Sequence, residues 1–84
     1  MPEMRAVADI FLYYRDGDER GWDAEMDYLR AEHAVELYAL VPSIQRKGVL
    51  EPILLGNDGR VWDGHHRLCV ALDLGITHVP VIHA

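Results

Sequence analysis

The stretch Val61-Trp62-Asp63-Gly64-His65-His66-Arg67-Leu68 decides how this chain reads. Val61 and Trp62 suit a strand, and Asp63-Gly64 interrupts it. His65, Leu68, Ala71 and Leu72 then recur at helical spacing, and Gly75 closes the helix. A strand that turns into a helix through a glycine exposes the first N–H groups of that helix and the positive end of its dipole. Such a terminus is a natural place for an anion. A turn that is only structural has no need of His-His-Arg, so this one is a candidate phosphate site.

Working outward, Pro52-Ile53-Leu54-Leu55 reads as a short strand, Asn57-Asp58-Gly59 as a turn and Arg60-Val61-Trp62 as the returning strand. Val79-Pro80-Val81-Ile82 is a last strand, and its proline suits an edge or a strand start. Residues 49–84 therefore read as strand, turn, helix, strand. Residues 2–48 read as helical. Val7, Ile10, Phe11 and Tyr14 share a face, so a short helix over residues 4–15, or a brief strand in its place, is expected. The segment 16–21 is a polar loop. Asp23 is placed to cap a helix running from Ala24 to Leu40. Pro42 should kink or break it near Val41, before a final turn ending at Gly48.

The chain has 84 residues, half of them hydrophobic, and a net charge of -6. That length gives one domain, residues 1–84, with a helical part over 1–39 and the motif region over 40–84. A chain so short buries only about 60% of its unfolded surface, and this thin core leaves room for a homodimer. Nonspecific DNA binding needs lysines and arginines that displace counterions. Eight basic residues against fourteen acidic ones, with no basic run, count against DNA as the main partner. No signal-peptide pattern and no apolar stretch near the roughly 18 residues of a membrane span are present, so no membrane partner is expected. The single Cys69 excludes an internal disulfide and fits a reducing cytoplasm.

The ordered set over residues 40–82 resembles the ParB/sulfiredoxin superfamily, and in its compactness the small ParB-like nuclease-domain proteins of bacteria and phages. The shared frame is a helix ending in Ser43-Ile44 and Gly48, Pro52-Ile53 on a strand, a polar turn, the Gly64-His65-His66-Arg67 box, a helix ending in Leu74-Gly75, and Val79-Pro80-Val81. The resemblance implies an α+β fold, with N-terminal helices packed on a small mixed sheet. It also implies a phosphate-binding turn at Gly64, His65, His66 and Arg67. CTP-binding ParB proteins carry Gly-Glu-Arg-Arg there. Sulfiredoxins carry Gly-Cys-His-Arg, and His65 stands where their catalytic cysteine does, which argues against sulfinic-acid reduction. Asp63-Gly64-His65 with Arg67 is also similar to kinase-like members, in which an acidic residue at the position of Glu51 is a candidate base. The helix-turn-helix and dimerisation parts of segregation ParB proteins have no counterpart in these residues, so a full partitioning role is not expected.

The chemistry of these residue types fits such a site. Arg67 offers a planar fork for phosphate, and Gly64 lets the backbone approach closely. His65 and His66 titrate near neutrality and could donate to phosphate or relay a proton. Asp63 could hold Mg²⁺ and Glu51 could act as general base. Against these stand plainer roles: a salt bridge of Arg67 with Asp63 or Glu51, helix capping by Asp63 or His65, a structural hydrogen bond of His66, and a core position for Trp62 and Cys69. His33 and Glu36, three apart, form only a weak metal-ligand pair. The expected function is binding of a nucleoside triphosphate or diphosphate with Mg²⁺, with Glu51, His65 and His66 as candidate catalytic groups for phosphoryl transfer or nucleotide hydrolysis. The alternatives are a metal-dependent nuclease on the same residues and a non-catalytic module that meets a protein partner through its acidic helical half.

Overall fold

The second half of the chain folds in the order its pattern predicts. The computed structural model describes residues 2–84. Its elements are β1 (Glu3–Ala6), α1 (Val7–Tyr13), α2 (Trp22–Glu32), α3 (Ala34–Lys47), β2 (Ile53–Leu55), β3 (Val61–Asp63), α4 (His65–Asp73) and β4 (His78–His83). The four strands form one mixed sheet in the order β1-β4-β2-β3. β2 and β3 are the expected antiparallel hairpin, with Gly59 at φ 80 in its turn. β4 then returns parallel to β2, through α4, so that Ile53 faces Val81. Parallel neighbours need such a crossover.

Pro80 does not lie on an edge. β4 is a central strand, antiparallel to β1 on its other side, with Pro80 opposite Met4. The missing N–H is tolerated because of where it points. The Ala84 N–H donates to the Leu55 carbonyl, so by the two-residue alternation of a strand the Pro80 nitrogen also faces β2. Counted back along the ladder, it lies opposite residues that precede Ile53, before β2 begins.

The first half departs further from its pattern. Residues 4–15 divide into a strand and a helix rather than forming one helix: β1 pairs with β4, and only from Val7 does the chain wind into α1. α2 starts at Trp22, one residue before the expected cap Asp23. Its N-cap is Gly21 at φ 90, without a side-chain cap. Asp16 does related work from outside the helix, accepting hydrogen bonds from the Arg20 and Gly21 N–H groups at 3.0 and 2.9 Å. The long helix expected from Ala24 to Leu40 is broken at His33, whose φ and ψ of -123 and 30 turn α2 into α3. α3 in turn runs through Pro42 to Lys47 without a break. The lost bond is the one to Tyr38, which is exposed, so water can reach that turn.

The core joins both halves. Ile53, Leu55, Val79 and Val81 of the sheet and Leu68 through Ala71 of α4 pack with Val7, Ile10, Met26, Leu29, Leu37 and Ile44 of the earlier helices. Each such aliphatic side chain contributes about 1.5–3 kcal/mol when fully buried. Cys69 lies in this core, as the sequence suggests, and burial pushes its thiol pKa up, away from the reactive thiolate. Trp62 does not. It lies half-exposed on the outside of the hairpin, against Gly56, with its indole N–H donating to Asp58 at 2.9 Å. Among the described residues no helix is long and apolar enough to cross a membrane.

Candidate functional site

The turn from β3 into α4 is built around Gly64. Its φ of 112 is a conformation L side chains avoid, and a Cβ there would come within 2.7 Å of Ile53 Cδ1. The bare backbone thus packs against β2 and sets the direction of α4. Gly64 is the N-cap of α4, and no side chain caps it. The first intrahelical bond runs from the Leu68 N–H to the Gly64 carbonyl, so the preceding amides have no partner within the helix. Asp63, expected as a possible cap, turns instead to Arg67.

Arg67 is the centre of the arrangement. It is only 15% exposed and lines a cleft of about 400 Å³ with Glu51, Asp63, Gly64, His66 and the end of α3. One guanidinium nitrogen, Nη1, donates to Glu51 at 3.4 Å and to the Pro52 carbonyl at 3.3 Å, and Nη2 donates to Asp63 at 3.1 Å. Glu51 and Asp63 are 86% and 72% exposed, so both ion pairs are open to water and individually weak. Glu51, singled out from a separate part of the sequence, therefore meets Asp63 and Arg67 of the turn in space. Their sum is one positive and two negative charges, so the site as it stands is net negative and favours a cation over an anion.

The two histidines of the turn face away from one another's work. His65, the first residue of α4, points back toward the first half, where its Nε2 accepts the Gly17 N–H at 2.9 Å and its ring lies beside Trp22. A backbone N–H can only donate, so Nε2 is the unprotonated nitrogen and the proton is on Nδ1. Burial pushes its pKa down, against the opposing pull of Asp18 and Asp16. His66 lies between the Arg67 cleft and the first half. Its Nε2 is 2.8 Å from Nδ1 of His33, with the rings nearly parallel at 11°. His33 is thus committed to His66 and not to a metal with Glu36; among the described residues no group of three His, Cys, Asp or Glu is placed to hold a metal ion. Mg²⁺ asks for less, since it keeps most of its waters and binds through one or two carboxylates plus phosphate oxygens. Exposed Asp63 and Glu51 on either side of Arg67 fit that demand.

A second group escaped the sequence. Asp16 and Glu25 are almost fully buried, and with Asp18 and Arg20 they close the loop between α1 and α2 against the α4 terminus. Arg20 lies over the Tyr28 ring at 3.9 Å. Burial, then the facing Asp18, push the Glu25 pKa up. In the sequence this segment reads as an ordinary acidic loop and a solvated helix face, with no spacing to mark it.

No family model matches the chain. A 39-residue stretch is 46% identical to the uncharacterized protein ORF326b of Acidianus two-tailed virus, covering 46% of this chain and 12% of that protein. The fold is similar to that of a solved Pnob8-like ParB-N domain, with a TM-score of 0.63 over 99% of this chain and 28% of that one, at 18% identity. The chain thus has a ParB-like α+β fold. It spans much less than half the length of either protein.

Proposed function

We propose that the Arg67 cleft binds the phosphate groups of a nucleoside triphosphate or diphosphate together with Mg²⁺. The observation that carries this reading is the position of Arg67: a largely sequestered guanidinium beside an uncapped helix N-terminus, in a cleft large enough for a ligand. Phosphate oxygens would take the Arg67 fork and the free amides that follow Gly64. Because Glu51 and Asp63 already neutralise Arg67, a bare phosphate would meet a net negative site. A divalent ion held by Asp63 removes that repulsion and frees the guanidinium. Glu51, exposed at the rim, is then the group available to accept a proton from a hydroxyl or water nucleophile, and phosphoryl transfer is chiefly a matter of such positioning. His66 lines the same cleft and can donate to phosphate. His65, turned to Gly17, holds the loop in place beneath the site.

A non-catalytic interaction module is the second reading. The apolar groove between α3 and α4, lined by Leu37, Tyr38, Val41, Val70 and Leu74, favours it. A nuclease acting on the same cleft is less favoured, because a net charge of -6 repels a polyanionic duplex.

The test is a thermal-denaturation screen with ATP, ADP, CTP and GTP, each with and without Mg²⁺. A ligand at 100 times its Kd adds about 2.7 kcal/mol to the folded state, which in a domain of this size is a rise of about 10 °C or more in Tm. The expected result is a rise for one nucleotide, dependent on Mg²⁺ and lost in both Arg67→Ala and Arg67→Lys. No rise with any of the four would leave the interaction module as the better account.

A further inference from the structure

The pairing of His33 with His66 has a defined geometry. Nδ1 of His33 and Nε2 of His66 are 2.8 Å apart, while the ring centroids stay 5.0 Å apart and the planes differ by only 11°. The rings therefore meet edge to edge in nearly one plane, in line for an N–H···N bond, rather than face to face. The bond ties the junction of α2 and α3 to the second residue of α4. His33 is the N-cap of α3, yet its side chain caps nothing there. Its ring is turned to His66, with the Tyr28 ring beside it at 5.4 Å. The consequence falls on the other nitrogen of His66. The two nitrogens of an imidazole point in divergent directions, so holding Nε2 aims Nδ1. Among the described residues Nδ1 of His66 has no hydrogen-bond partner. His66 lines the Arg67 cleft, whereas His33 lines the cavity on the other side of the turn.

We infer that His33 is a positioning residue of the phosphate site: it holds His66 by Nε2 so that Nδ1–H donates to a phosphate oxygen in the cleft. This rests on the phosphate reading of the Arg67 cleft. A neutral imidazole has one donor and one acceptor. When His66 donates through Nδ1 it accepts through Nε2, so the shared proton then belongs to Nδ1 of His33. The resulting N–H joins the free amides at the start of α4 as a donor to the anion. Unlike the Arg67 guanidinium, it is not already bound by Glu51 and Asp63. A tie that only held the helices together would need shape and apolar contact at His33. A positioning role needs a polar hydrogen-bonding atom where Nδ1 stands.

The experiment is an NMR titration of the intact ¹⁵N-labelled protein at pH 7.5 with inorganic pyrophosphate and Mg²⁺, read on the histidine ring nitrogens. The wild type should bind saturably, with Nδ1 of His66 protonated and Nε2 unprotonated in the complex. His33→Phe keeps a planar ring without a nitrogen and should weaken pyrophosphate about fivefold, the worth of one hydrogen bond. His33→Asn places a side-chain amide where Nδ1 stood and should bind within about twofold of the wild type. Affinity unchanged in His33→Phe, or weaker in His33→Asn than in His33→Phe, overturns the inference. So does an unprotonated Nδ1 in the wild-type complex, and that spectrum decides the matter alone if neither variant folds. The two readings fail differently. No binding to the wild type overturns the phosphate site and this inference with it, whereas binding with the wrong ring nitrogen protonated, or without dependence on residue 33, overturns this inference only.

Discussion

His65 shows how one side chain can leave a motif to serve the fold. It sits in the box that suggests phosphate, yet its imidazole is the acceptor for Gly17, 48 residues earlier, and burial holds its pKa below the usual histidine value. The sign of the pH effect follows. Between the lowered folded value and about 6.5 the unfolded chain binds the proton and the folded chain does not. Stability therefore falls as pH drops through about 6.5 and levels off below the folded value. His65→Gln keeps an acceptor and does not titrate. Urea melts at pH 7.5 and 5.5 should show a smaller loss of stability on acidification in this variant than in the wild type; equal losses would mean that His65 titrates freely. His65→Ala orphans the Gly17 N–H as well, at a cost of about 1–3 kcal/mol at either pH.

Among the elements, those with local causes were legible. The β2–β3 hairpin follows from Asn57-Asp58-Gly59, and α4 from Gly64 and the apolar spacing after it. Asp63 and Arg67 meet across the tight turn at Gly64, where β3 ends and α4 begins, and Glu51 joins them because β2 pairs with β3. What escaped depends on distant partners. His33 breaks a helix whose composition would continue it, and its ring pairs with His66, 33 residues later in the sequence. Pro80 lies mid-sheet because β2 starts too late to need its N–H. Glu25 looks like any exposed helical acid until the loop that carries Asp16, Asp18 and Arg20 closes against it. Pro42 is the clearest case of tertiary structure overriding propensity, since α3 bears an interior proline and loses the bond to Tyr38. Replacing it removes that defect. Pro42→Ala should raise stability by about 1–3 kcal/mol in a denaturant melt. A loss of stability would show that the ring packs in a way alanine cannot replace.

At the scale of the molecule, a disc of 30 × 30 × 18 Å is held together by a sheet that mixes early and late residues. β1 lies beside β4, with Glu3 opposite Val81, and His83 Nε2 lies 3.1 Å from Glu3 Oε1. Neighbouring strands are about 5 Å apart, so the path from one end of the described chain back to the other is short. The polypeptide is close to a closed ring. A circular permutant that joins these ends with a few Gly and Ser residues, and opens instead in the exposed turn at Asn57 and Asp58, should keep the wild-type circular dichroism spectrum and a cooperative melt. A permutant without a melting transition would show that the hairpin must be continuous for the sheet to form. For a fold of this shape, where the chain begins is a matter of wiring rather than of architecture, and the same domain can be spliced into the loop of a larger host through two adjacent ends.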